Sequence, residues 1–141
     1  MNIFLKSIAL CFSCGSLGGL TNSLAVWVFG ALGITALFGV SIAPALSPDW
    51  LYPRIVWGGL WGFLLFAPFF RGSPYIRGIL WSLGPSAVQL LLIFPFVKDK
   101  GFFGLELGFM TPVFVVVFNA IWGITAAVLL ERLNREPENA R

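Results

Sequence analysis

Histidine is absent from the 141 residues of this sequence, and cysteine occurs only twice. The lack of histidine removes the commonest general base, proton relay and transition-metal ligand of proteins. Charged residues are scarce at 11%, whereas an average soluble domain has about 25%. We therefore expect no catalytic, cofactor or metal site, and the net charge of +3 is too small and scattered to indicate nucleic-acid binding.

Apolar residues dominate what is present. They make up 58% of the chain, and the mean hydropathy is +0.91. A soluble domain of this length could not bury so much apolar surface, so the lipid bilayer must be the solvent for much of it. The 16 glycines fit this interpretation, because glycine is more frequent in membrane helices than in soluble ones.

Four apolar stretches are close to the ~20 residues that a helix needs to cross the hydrocarbon core. Apart from Arg54 at the edge of the second, they contain no charged residue. None shows the alternating pattern of a membrane β-barrel. The sequence predicts one all-α integral membrane domain over residues 1–141, with transmembrane helices at about 7–30, 53–70, 78–97 and 112–130.

Two apolar connectors separate these helices. Residues 31–46 and 101–112 are rich in glycine and proline and are shorter than a typical span. We expect both to be interfacial or re-entrant elements on the same side of the membrane. A fifth span through residues 31–46 is the main alternative topology.

The distribution of Lys and Arg predicts the orientation. With four spans, most of the nine positive residues fall on one side, which becomes the cytoplasm with both termini on it. That side receives Lys6, Arg71, Arg77, Arg132, Arg135 and Arg141, and the other receives Arg54, Lys98 and Lys100. The apolar run after Lys6 imitates a signal peptide, but it continues well past the candidate cleavage site, so we expect the first helix to be retained.

A weak internal repeat relates the two halves of the chain. The tripeptide Ser-Leu-Gly occurs at residues 16–18 and 82–84, early in the first and third predicted helices. A Trp-Gly pair follows in the second and fourth helices, at residues 61–62 and 122–123. The two helical hairpins could therefore be parallel repeats about an axis along the membrane normal, although apolar sequences also match by chance.

Glycine spacing indicates close helix packing, either within the bundle or against a partner. A GxxxG pattern places two glycines on one helix face, where a neighbouring backbone can approach. The sequence has two such pairs, Gly15/Gly19 and Gly58/Gly62. Trp57 and Trp61 share a face of the second helix and could form a ridge against lipid or a partner.

Amide side chains lie deep within three of the apolar runs: Asn22, Gln89 and Asn119. An amide facing hydrocarbon is costly, so each should face the bundle and find a partner. We expect an intramembrane polar cluster that also includes Ser23 and Ser86, with Thr21, Ser82 and Thr125 as further candidate partners. Its role is either interhelical hydrogen bonding or the lining of a solute path.

The remaining polar groups suggest little chemistry. Cys11 and Cys14 form a CxxC within the first helix without a second ligand pair, so we interpret them as small packing residues. Asp49 and Glu106 lie on the predicted outer side, where they could pair with Arg54, Lys98 or Lys100.

The stretch "IRGILWSLGPSAVQLLLIFPF" carries a family resemblance. Its Gly78, Leu80, Gln89, Leu90 and Phe94-Pro95, with the later Trp122 and the "LAVW" of residues 24–27, resemble YagU-type small bacterial inner-membrane proteins. The likeness covers about a third of the chain and implies a four-helix fold in the bacterial inner membrane. No functional residue is carried over from it.

Two functions follow from these patterns. The first is a non-enzymatic structural or accessory membrane protein that acts through helix–helix contacts, as a homo-oligomer or as a subunit of a larger complex. The second is a small oligomeric channel or transporter with a path lined by Asn22, Gln89 and Asn119. An enzyme is the weakest option, and besides the lipid bilayer no partner can be named.

Overall fold

The computed structural model describes the backbone of residues 2–139 and the side chains of residues 2–135. The regular structure of this part of the chain is entirely helical and contains no strand, which confirms the predicted all-α class. Its elements are α1 (Ile3–Ala31), α2 (Ile34–Leu37), α3 (Pro48–Gly62) with a 3₁₀ turn (Phe63–Phe66), α4 (Pro74–Val88) continued by a π-helical stretch (Gln89–Val97), a 3₁₀ turn (Phe102–Gly104) and α5 (Thr111–Asn139).

Four helical segments run antiparallel to their neighbours in sequence. Gly15 of α1 lies against Gly62 of α3, and Gly19 lies against Gly58, so these two helices run in opposite directions. In the second pair, Gly78 of α4 lies against Gly123 of α5. Helix α1 also contacts α5, since the hydroxyls of Thr21 and Thr125 are 3.0 Å apart. The result is a bundle in which α1 and α5 form the central contact.

Three of these segments are long and apolar enough to cross a membrane: Ile3–Ala31, Pro74–Val97 and Thr111–Arg135. The second predicted span is shorter. Helix α3 has 15 residues and is extended only by a 3₁₀ turn of four residues. It begins at Pro48, before the predicted start at Pro53, because a proline is tolerated in the first turn, where its missing N–H would have no partner.

The two apolar connectors meet at one end of the bundle. The backbone N–H of Ser41 donates to the carbonyl of Leu107 at 2.8 Å. Gly108, with φ of 146°, packs against the backbone of Gly39, where a side chain would not fit. Residues 31–46 contain only the four-residue helix α2 followed by extended chain, so the alternative of a fifth helical span is wrong for this fold.

The glycine pairs predicted to mediate close packing lie at the contact between α1 and α3. A Cβ added to Gly62 would meet the carbonyl oxygen of Cys11, and one added to Gly19 would lie 2.7 Å from the carbonyl oxygen of Arg54. The indole N–H of Trp122 donates to the carbonyls of Gly15 and Gly58, at 3.0 and 3.2 Å. The glycine face is therefore occupied inside the bundle and is not an open groove.

Cys11 and Cys14 belong to the buried core near the other end of the bundle. Both are free thiols and pack with Leu65 and with the apolar face of α5. No group of three or more potential metal ligands occurs in the described part of the chain. Their surroundings agree with a packing role.

Candidate polar binding site

The five residues of the predicted polar cluster come from three helical segments and meet at one level of the bundle. Asn22, Ser23, Ser86 and Asn119 are buried, and Gln89 is half-buried. Gln89 is also the first residue of the π-helical stretch. Stretches of π-helix are rare and often occur at functional sites.

Asn119 joins the helices of this cluster. Its Nδ2 donates to the hydroxyl of Ser86 at 3.2 Å and to Oε1 of Gln89 at 3.3 Å. Its Oδ1 accepts a hydrogen bond of 3.3 Å from Nδ2 of Asn22, which also donates to the carbonyl of Phe118 at 2.6 Å. Three amides from α1, the π-helical stretch and α5 therefore form one continuous chain.

Arg54 of α3 completes the cluster. Its Nε donates to the hydroxyl of Ser23 at 3.0 Å, and its Nη2 donates to Oδ1 of Asn22 at 2.8 Å. The guanidinium carbon lies 4.7 Å from the centre of the Trp50 ring, which is a cation–π distance. The charge of Arg54 is thus held by amide, hydroxyl and aromatic groups rather than by a carboxylate.

The predicted pairing of Arg54 with Asp49 or Glu106 does not occur. Both carboxylates are exposed, and within residues 2–135 the only ion pair joins Glu131 to Arg135 on α5. The sequence predicts Arg54 at the membrane edge, because the predicted second span begins at Pro53. The actual start at Pro48 moves Arg54 more than one turn into α3, where its side chain reaches α1.

Two fixed contacts determine how the amides are oriented. A guanidinium only donates, so the Asn22 atom that faces Arg54 must be the oxygen; a carbonyl only accepts, so the atom facing Phe118 must be the nitrogen. The orientation of Asn22 fixes that of the next amides in the hydrogen-bonded series, since each amide oxygen accepts from the preceding donor. The oxygens of Asn22, Asn119 and Gln89 thereby each accept one hydrogen bond.

A cavity of about 360 Å³ adjoins this network. Arg54 and the three amides form its polar wall, and the connector segment 41–44 lies beside them, so the cavity is at the connector end of the bundle. Its other walls are apolar and aromatic: Val26, Trp50, Phe94, Val115 and Phe118. Neither Asp nor Glu is among the described residues that line it. The arrangement is a positively charged, largely apolar pocket.

The other predicted residues lie away from this cavity. Gly15, Gly19, Gly58 and Gly62 are helix-packing positions. Trp57 is 60% exposed, whereas Trp61 is half-buried, so the expected aromatic ridge is only partly open. Thr21 and Thr125 bond to each other rather than to the amides.

The sequence pattern did not indicate that a second guanidinium lies inside the bundle. It predicts Arg77 on the cytoplasmic side, just before the third span, but Arg77 lies in α4 and is 4% exposed. It donates to the carbonyls of Leu65 and Ala67, which terminate the 3₁₀ turn after α3. These carbonyls have no helical partners, so Arg77 acts as a cap that ties α4 to the end of α3.

Comparisons of the chain with protein-family models, with curated proteins and with solved structures find no match.

Proposed function

We propose that this chain is a small multi-pass membrane protein that binds a polar solute in the Arg54 cavity and conducts or transports it. The observation that carries the proposal is a guanidinium held against Asn22 and Ser23 on the wall of a 360 Å³ cavity. Ionisable groups inside a membrane bundle are energetically costly, and substrate and ion pathways are among the sites that they mark. Simple interhelical hydrogen bonding would need neither the charge nor the open volume.

The proposed membrane arrangement has four spans and both termini in the cytoplasm. The antiparallel course of α3 between α1 and α4 supports four spans, although α3 is short, and the Lys and Arg distribution supports the orientation. The close approaches of Gly62 to α1 and of Gly123 to α4 are consistent with two repeated hairpins. The resemblance to YagU-type proteins supports the bacterial inner membrane as the location.

Reporter fusions test this arrangement. We expect fusions after Gly72 and after Arg141 to report the cytoplasm and a fusion after Lys100 to report the opposite side. The measurement is paired alkaline phosphatase and fluorescent-protein activity for each fusion point. Opposite locations for the Gly72 and Arg141 fusions would exclude the four-span arrangement.

Flux through proteoliposomes tests the transport role. Stopped-flow light scattering at pH 8 would follow the volume of the vesicles in gradients of glycerol, choline chloride and sodium lactate. We expect one solute to cross faster than in protein-free vesicles. The rate should fall about tenfold or more in Gln89→Leu, which removes an amide from the cavity wall and costs hydrogen bonds to the solute. Flux equal to that of empty liposomes for all three solutes would refute transport.

A structural or accessory role is the second candidate. It is supported by the exposed apolar face of α3, where Tyr52 is 63%, Val56 52% and Trp57 60% exposed. A homo-oligomer or a larger complex could cover this face, without any enzymatic activity. Co-purification in mild detergent distinguishes the two roles, since an accessory protein should bring a stoichiometric partner, and Trp57→Ala should weaken that association.

A further inference from the structure

We infer that the solute of the Arg54 cavity is a small organic carboxylate with one negative charge and a compact apolar body. This inference rests on the proposed function and names the ligand class of the same site. The ligand class follows from which hydrogen-bonding groups of the network have partners and which groups without partners belong to side chains that line the cavity.

The network gives each amide oxygen a donor and leaves two donor groups of the described residues without a partner. The oxygens of Asn22, Asn119 and Gln89 accept from Arg54, Asn22 and Asn119 respectively. Among the described residues, Nε2 of Gln89 and Nη1 of Arg54 have no hydrogen-bond partner, and both side chains line the cavity. Because the groups without a partner are hydrogen-bond donors, the pocket favours a ligand that accepts hydrogen bonds. Its positive charge favours an anion.

The guanidinium also presents a suitable edge. Ser23 and Asn22 occupy the edge formed by Nε and Nη2, which leaves the Nη1–Nη2 end available. Two parallel N–H groups at that end match the two oxygens of a carboxylate. The Trp50 ring beneath the guanidinium restrains its plane and so holds the fork in place.

Charge and shape restrict the ligand further. Among the described residues that line the cavity, Arg54 alone carries a positive charge. A monoanion would be neutralised, whereas a phosphate or sulfate dianion would leave an uncompensated charge at high desolvation cost. Walls formed by Val26, Phe94 and Phe118 suit an apolar body. A volume of about 360 Å³ accommodates a molecule with one ring or a short branched chain.

Equilibrium binding in detergent tests the ligand class independently of flux. Isothermal titration calorimetry at pH 8 would compare sodium benzoate with benzamide, which has the same shape and no charge, and with benzylammonium, inorganic phosphate and glycerol phosphate. We expect benzoate to bind at least about tenfold more tightly than each of the others, since charge-assisted hydrogen bonds are the strong ones. Thermal unfolding should show a higher midpoint with benzoate and no change with benzamide.

Variants assign the binding to the site. Arg54→Gln should abolish the benzoate heat, Arg54→Lys should weaken binding because the fork is lost, and Gln89→Leu should weaken it about tenfold. Lys98→Gln is the control, because Lys98 is an exposed cation at the same end of the bundle. If Arg54→Gln fails to fold, the benzoate affinities of Gln89→Leu and Lys98→Gln decide whether benzoate binds at this site.

The outcomes separate the ligand class from the transport role. Equal binding of benzoate and benzamide, equal loss in Lys98→Gln, or no benzoate binding would overturn the carboxylate inference. Preference for glycerol phosphate would overturn it in favour of a lipid headgroup. Benzoate binding without flux of any solute would support the carboxylate inference and refute transport. Flux of glycerol or choline without benzoate binding would support transport and refute the carboxylate inference.

Discussion

Replacing Asn22 by leucine should lower the free energy of unfolding of the bundle by about 3 kcal/mol, because the Arg54 guanidinium and the Asn119 amide each lose a hydrogen-bond partner inside the bundle. Asn22 accepts from the Arg54 guanidinium and donates to Phe118 and Asn119. Leucine has the same branching at Cγ but no polar atom in its side chain. The measurement is equilibrium unfolding in mixed detergent micelles, monitored by circular dichroism.

A double variant identifies the cause of that loss. If the cost comes from the hydrogen bond that the guanidinium loses, Asn22→Leu combined with Arg54→Met should be more stable than Asn22→Leu alone. Removing both partners of a polar contact inside the bundle is far less costly than removing one. The two positions touch, so non-additivity is expected. Losses that simply add would show that Asn22 and Arg54 do not interact energetically.

The polar cluster was predictable from the sequence because the cost of an amide in hydrocarbon does not depend on the details of the fold. Asn22, Gln89 and Asn119 had to face the bundle, and the structure brings them within hydrogen-bonding distance. Ser86 shares a helix face with Gln89, three residues later, whereas Ser23 directly follows Asn22 and joins the cluster through Arg54. What the sequence could not indicate was the direction of each amide, which depends on Arg54 and on the carbonyl of Phe118.

The sequence predicts Arg54 on the outer face rather than in the polar cluster, because helix ends are the least certain feature of a hydropathy pattern. Trp50 and Arg54 lie within the first two turns of α3, and the run of residues 48–53 contains two prolines and an aspartate, which indicate a loop as readily as a first helical turn. The same uncertainty hid Arg77. In both cases a charge assigned to the interface lies inside the bundle, and only tertiary contacts could reveal this.

The glycine face was predicted as a packing surface, but its occupant was left open between the bundle and a partner. Gly15 and Gly58 lie within the α1–α3 contact, and the indole of Trp122 bonds to both of their carbonyls. A partner helix therefore has no access to this groove in the structure. Whether the bundle or a partner covers the glycine face depends on how α3 returns beside α1 after the segment between α2 and α3. Local sequence patterns do not encode that path.

Gly62→Leu should destabilise the monomer by about 3 kcal/mol, since a side chain at this position would collide with backbone rather than with a flexible side chain. The added Cβ would meet the carbonyl oxygen of Cys11 and would lie 3.0 Å from the Cα of Gly15. To fit it, α1 and α3 must move apart, which would also strain the Trp122 hydrogen bonds to Gly15 and Gly58. Thermal unfolding in detergent measures the effect.

Gly72→Leu is the matched control for this prediction, because Gly72 is exposed and a Cβ there would meet nothing within 4 Å. We expect its unfolding midpoint to equal that of the wild type. Trp57→Ala, on the exposed face of α3, should likewise leave the monomer's stability nearly unchanged. A stable Gly62→Leu monomer that no longer assembles would contradict the packing in the structure, because it would show that Gly62 faces a partner and that α1 does not occupy the glycine face.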